Sequence, residues 1–124
     1  MECRRMLIVD DSATSRMIIR RCFEMAGYGG VEFHEAADGL SAMSFLAESD
    51  VDLIVTDLKM PKMDGNTFIK KMRLQERFKR VPIVVISSMG NDVVEAELLS
   101  NGATVIIRKP VSPMKISEAL GEPA

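Results

Sequence analysis

A chain of 124 residues that is 47% hydrophobic and 27% charged can bury one core of its own and is short for two, so a single domain over residues 1–124 is expected. The formal charge of −2 offers no basic field for nucleic acid, and nowhere do about eighteen apolar residues run together to span a membrane. The apolar stretch at the N-terminus is too short for a signal peptide, and Cys3 and Cys22, with no metal-binding spacing, read as free thiols of a soluble cytoplasmic protein.

Met6-Leu7-Ile8-Val9 is an apolar run too short for a helix and predicts a buried strand, ended by Asp10-Asp11-Ser12, small polar residues able to cap a helix. That helix is expected to reach about Ala26 and stop at Gly27. Its apolar positions are Met17, Ile18, Ile19, Cys22, Phe23, Met25 and Ala26, with Arg16, Arg20, Arg21 and Glu24 left for water. From Val31 to Ala36, Val31 and Phe33 alternate with Glu32 and His34, which predicts a half-exposed strand near a sheet edge. His34 reads as a surface residue without partners or role. Asp38-Gly39 turns the chain into a helix with Leu40, Met43 and Leu46 on one face.

Leu53-Ile54-Val55 predicts a third, buried strand that delivers Asp57 at its carboxyl end, before the turn residues Pro61 and Gly65. Asn66 to about Gln75 reads as a helix with Phe68, Ile69 and Met72 inward, then a charged loop from Glu76 to Arg80. Pro82 to Ile86 is a fourth strand running into Ser87-Ser88, and Asn91 to Ser100 a fourth helix. Ala103 to Ile107 is a fifth strand ending at Arg108-Lys109-Pro110, and Ser112 to about Leu120 a last helix. The methionines, among them Met17, Met25, Met43 and Met72, are expected to fill the core, and Met89 to belong to an adaptable partner surface.

Apolar strands separated by helices call for a parallel sheet with helices on both faces, and such sheets take ligands at the carboxyl ends of their strands. Asp10 and Asp11 end the first strand, Asp57 the third, Ser87 the fourth and Lys109 the fifth, so all should face one crevice. In the order 2-1-3-4-5 the first and third strands are neighbours, which brings the three acids together. Clustered carboxylates repel one another unless a cation intervenes, and an all-oxygen set suits Mg²⁺, or Mn²⁺ in its place. The expected ligands are Asp10, Asp11, Asp57 and the backbone carbonyl of Lys59. With the Lys109 ammonium and the Ser87 hydroxyl opposite, the site would receive a tetrahedral dianion bonded to Asp57, which points to phosphoryl transfer onto that carboxylate.

Val9-Asp10-Asp11-Ser12, Asp57 with Met60-Pro61-Lys62-Met63-Asp64-Gly65 after it, Ser87-Ser88, Gly102-Ala103 and Lys109-Pro110 together resemble the receiver domain of two-component response regulators. The resemblance covers essentially the whole chain. It implies a flavodoxin-like, doubly wound, five-stranded α/β sheet in the order 2-1-3-4-5, of which this family is itself a standard example. It also implies that Asp57 accepts phosphate from a sensor histidine kinase or a histidine phosphotransfer protein. The receiver would catalyse its own phosphorylation and slow dephosphorylation without being a turnover enzyme. Ser87 would then move toward the phosphate, and the fourth helix, fifth strand and fifth helix would change shape for a downstream protein. A cis peptide between Lys109 and Pro110 is implied as well. A monomer of chemotaxis type is the expected form, with a phosphorelay intermediate or a fragment of a larger regulator as the alternative.

Three positions depart from the family pattern. Ile106 stands where an aromatic residue usually reports activation by swinging its ring, which a β-branched aliphatic cannot do. Ser88 replaces the more usual alanine. Lys59 and Met89 sit where the family tunes water access and so the lifetime of the acyl phosphate. Rival readings fit less well: a flavin carrier would not open its phosphate loop with two acids, and a haloacid-dehalogenase-type phosphatase would carry its nucleophile after the first strand. A pseudo-receiver that no longer takes phosphate has only Ile106 in its favour.

Overall fold

The computed structural model describes residues 2–88 and 91–121. Its five strands are β1 (Arg5–Val9), β2 (Glu32–Ala36), β3 (Leu53–Asp57), β4 (Ile83–Ser87) and β5 (Val105–Arg108). Between and after them lie α1 (Ala13–Phe23), α2 (Gly39–Glu48), α3 (Gly65–Arg73), α4 (Asp92–Ser100) and α5 (Pro113–Leu120). All strand pairs are parallel and the order is β2-β1-β3-β4-β5, the doubly wound topology expected from the sequence. Winding reverses between β1 and β3, so the loops after those two strands part and leave a crevice at their carboxyl ends.

Alternation along the strands builds two cores. Met6, Ile8, Leu53, Val55, Val84 and Ile86 meet Ile19, Cys22 and Phe23 of α1 and Ile116 of α5 on one face. Leu7, Val9, Ile54, Ile83 and Val85 meet Ala42 and Leu46 of α2, Phe68, Ile69 and Met72 of α3, and Leu98 of α4 on the other. Each helix is started by a side-chain cap: Ser12, Asp38, Asp64, Asn91 and Ser112 accept hydrogen bonds from backbone N–H groups of the first turn.

Several expectations about individual side chains need correction. The buried arc of α1 is Ile19, Cys22 and Phe23, continued by Ala26, so Met17, Ile18 and Met25 fall outside it and are exposed, Met25 at 74%. Leu40 is likewise exposed, because Ala42 and Leu46 supply the inward face of α2. Of the four methionines expected in the core, Met72 is fully buried and Met43 is half-buried against it. The α-helical part of α1 ends at Phe23, and the wider-wound stretch that follows, Glu24–Tyr28, is broken by a kink at Gly27, whose φ of 107° makes it the stop expected from the sequence. His34 has partners after all, a 2.7 Å contact to Glu32 and the ring of Phe45 with centroids 4.7 Å apart, though it lies on the edge strand. The charged stretch after α3 contains a turn of 3₁₀ helix, Glu76–Phe78, that buries Phe78 in the core. Both cysteines are free, as expected.

Arg73 at the end of α3 ties two connections together, the one from α3 to β4 and the one from α4 to β5. Its Nε donates to the Gly102 carbonyl at 3.0 Å, and its Nη1 donates to the carbonyls of Phe78 and Val81. Arg73→Ala would leave these acceptors without their donor, and a loss of about 2–3 kcal/mol is expected from the midpoint of urea unfolding. A change below about 1 kcal/mol would mean that water replaces the guanidinium at no cost.

Candidate functional site

Asp10 extends β1 by one residue, its N–H donating to the Ala36 carbonyl at 3.1 Å, so its side chain is set by the sheet itself. That side chain is almost completely covered, at 1% exposure, while Asp11 next to it is exposed. Asp57 is the last residue of β3, and the β1–β3 pairing places it beside them. One carboxylate oxygen from each of Asp10, Asp11 and Asp57 lies within 4.8 Å of the others. The three acids that the sequence placed at strand ends are thus brought together.

Asp57 Oδ1 accepts from the Leu58 N–H at 2.8 Å, and Oδ2 lies 3.6 Å from Lys109 Nζ. Lys109 arrives there because its own N–H donates to the Ser87 carbonyl at 2.8 Å, continuing the β4–β5 ladder beyond Arg108. The next peptide, Lys109–Pro110, is cis. A cleft of about 190 Å³ opens over Asp57, walled by Leu58, Lys59, Ser87, Ser88 and Lys109. Ser87 is buried, whereas Ser88 is exposed at the rim. Burial pushes the Asp57 carboxyl above the usual carboxylate range; the Lys109 ammonium opposes this, the Asp10 charge adds to it, and the Leu58 N–H opposes it again.

The donor set fits a hard divalent cation. Every candidate ligand is an oxygen, three are carboxylates crowded at the rim of the sheet, and their mutual repulsion is what such an ion removes. Lys59 also lines the cleft, on the loop that leaves β3. Ile106 lies one strand away, half-buried on β5 and packed against the core shared with α4, with its register partner Val85 on β4. Met89 lies outside the described residues.

Further contacts, not expected from the sequence, surround these residues. Arg16, expected in water, has a side chain only 17% exposed; it donates to the Asp10 carbonyl at 2.6 Å and pairs with Glu35 at 2.8 Å. The Ser15 hydroxyl donates to Asp10 Oδ2 at 2.6 Å. On the far side of the cleft, Lys62 stands in the left-handed region at φ 68° and reaches Asp38 Oδ2 at 3.5 Å, tying the loop after β3 to the start of α2. A larger groove of about 540 Å³, walled by Thr14, Ser15, Ile18, Lys109 and Val111, runs between α1 and the loop after β5. Nothing in the sequence pattern marks Ser15 for this contact.

The response regulator receiver domain family model matches residues 6–121. Among curated proteins, the chain is 37% identical over 117 residues to chemotaxis protein CheY1 of Helicobacter pylori, covering 94% of this chain and 93% of that one. It is 33% identical to chemotaxis protein CheY-3 of Vibrio cholerae, covering 94% and 88%. Among solved structures, chemotaxis response regulator CheY4 of Vibrio cholerae superposes with a TM-score of 0.84 at 30% identity, covering 94% of this chain and 95% of that one. With the family model matched over nearly all of the chain, and a solved chemotaxis regulator superposing on its parallel sheet, the chain belongs to the response regulator receivers of two-component signalling.

Proposed function

We propose that this receiver takes phosphate on Asp57 from the phosphohistidine of a sensor histidine kinase or histidine phosphotransfer protein, and that the phosphorylated form binds a downstream protein. The observation that carries the reading is the Asp57 carboxylate in an open cleft, 3.6 Å from the Lys109 ammonium and beside two further acids. In the transfer, an Asp57 oxygen attacks phosphorus in line as the P–N bond of the donor breaks. The bond's electron pair stays on the imidazole nitrogen, and the product is a mixed anhydride on Asp57. Lys109 offsets charge on the phosphoryl oxygens, and Ser87 donates a hydrogen bond to one of them.

Asp10, Asp11, Asp57 and the Lys59 carbonyl would hold Mg²⁺, or Mn²⁺ in its place. Bound there, the ion would screen the acids from one another and offset charge that builds on the transferring group. Lys59 and Ser88 at the cleft, with Met89 beyond the described residues, would set water access and the lifetime of the anhydride. Movement of Ser87 toward the phosphate would reshape α4, β5 and α5, with Ile106 responding by packing since it has no ring to swing. Exposed Val93 and Leu99 on α4 and Met114 on α5 offer that partner apolar contact. The similarity to chemotaxis regulators favours a motility-type target, a monomer and a cytoplasmic setting. Among the described residues no helix is long and apolar enough to cross a membrane.

Incubation with acetyl phosphate, with and without Mg²⁺, tests the reading. Label is expected on Asp57 and only with the metal. Metal-independent uptake, or label mapped to another residue, would count against it.

A further inference from the structure

We propose that Ser15 is a positioning residue for the metal, its hydroxyl fixing the Asp10 carboxylate in the orientation that a divalent ion needs. The inference rests on the proposed function, since it concerns how this chain holds that ion. Three hydrogen bonds close a ring. The Ser12 N–H donates to Asp10 Oδ1 at 2.9 Å, the Ser15 N–H to Ser12 Oγ at 3.2 Å, and the Ser15 hydroxyl to Asp10 Oδ2 at 2.6 Å. The last distance is that of a charge-assisted O–H···O⁻ bond, the short and strong kind. Ser12 already serves as the cap of α1. The Ser15 hydroxyl is therefore not needed by its own helix and is spent on the acid.

A carboxylate has about four lone-pair sites. Ser12 and Ser15 take one on each oxygen of Asp10, and the carboxylate cannot turn without breaking one of the two bonds. At 1% exposure, water has little access to replace either donor. The free lone pairs are left for the cluster formed with Asp11 and Asp57. Because Ser15 stands in the first turn of a capped helix, the constraint is passed to Asp10 by a rigid element.

Removing the hydroxyl has two opposed effects. It leaves more negative charge for a cation, which favours binding, and it frees the carboxylate to rotate, which disfavours an ion with strict octahedral demands. Partners in the outer shell of metal sites typically change affinity by about 10- to 100-fold, so loss of orientation should win. Ser15→Ala is expected to weaken Mg²⁺ binding about tenfold. Ser15→Thr keeps the hydroxyl, and its extra methyl has room in the groove of about 540 Å³ beside it, so it should restore binding.

The experiment is a calorimetric Mg²⁺ titration of the full chain and of Ser15→Ala, Ser15→Thr and Thr14→Ala, each first shown to be folded by circular dichroism. Weak binding by the alanine variant at position 15, with near-normal binding by the threonine variant and by Thr14→Ala, supports the assignment. If Ser15→Ala binds as the wild type does, or Ser15→Thr is as weak as Ser15→Ala, the hydroxyl has no positioning role, and the phosphate-accepting reading survives. If the wild type itself shows no Mg²⁺ binding, the metal reading falls and the inference falls with it.

Discussion

Replacing Asp57 by Asn is expected to abolish phosphate uptake from acetyl phosphate and, in the same variant, to make the fold more stable at neutral pH. The two effects have one cause. Asp57 is 9% exposed and shares its corner with Asp10 and Asp11, so its negative charge is held in an unfavourable place that Lys109, at 3.6 Å, offsets only in part. Asparagine keeps the shape, and its carbonyl oxygen can still accept from the Leu58 N–H, now 2.8 Å from Asp57 Oδ1. What disappears is the charge, and with it the nucleophile. A gain of about 1–2 kcal/mol is expected, since like charges about 4 Å apart repel by about 1 kcal/mol in water and by more where the dielectric is lower.

The sign can be checked against pH. Burial raises the folded-state pKa of Asp57, so the folded protein holds that proton more tightly than the unfolded chain does. As pH climbs from the ordinary carboxylate value through the raised one, the folded state must release a proton it favours, and wild-type stability falls across that window. At pH below the window the penalty is absent. The gain from Asp57→Asn should therefore vanish in acid and be complete near neutrality, as read from urea unfolding at several pH values without divalent metal. A variant less stable than wild type at neutral pH would show that Lys109 more than compensates the charge.

Most of the architecture and the identity of the crowded groups were legible because they depend on features that a linear pattern carries. Runs such as Met6 to Val9 and Ile83 to Ile86 are apolar throughout because a parallel strand is covered on both faces. Once five such strands are ordered, a residue just past a strand end has only one side of the sheet to occupy, which is why Asp10, Asp57, Ser87 and Lys109 could be placed together. Side chains whose position depends on reach were not legible. Helical periodicity assigns Arg16 to water, yet a long guanidinium can cross a turn to the Asp10 carbonyl and Glu35. Phe78 sits among charges in sequence and in the core in space, because a turn of 3₁₀ helix points it there. Ser15 has no distinguishing pattern at all; its contact exists only once α1 is docked behind the first acid. Met17, Met25 and Leu40 show the opposite error, where an apolar residue was given a core that the narrower buried arc of its helix did not extend to cover.

Gly65→Ala is expected to be the most damaging small substitution near the site. Gly65 opens α3, and its N–H donates to the Leu58 carbonyl at 2.8 Å, folding the helix start back onto the segment that carries the candidate nucleophile. A Cβ there would lie 2.5 Å from the Asp57 carbonyl oxygen and 3.0 Å from Leu58 Cα. Both are backbone atoms, so no side chain can swing away to make room, and either α3 or the end of β3 must move. Overpacking of this kind costs about 1–3 kcal/mol, and the upper end applies where the obstacle is main chain. Asp57 would also shift relative to Lys109 and the other acids, and misplacement of a reacting group by about 1 Å slows a positioned reaction by about 100-fold. Both stability in urea and the initial rate of labelling by acetyl phosphate should therefore fall together. Loss of stability with a normal labelling rate would show that α3 yields and the strand end holds, which would remove Gly65 from the elements that place the nucleophile.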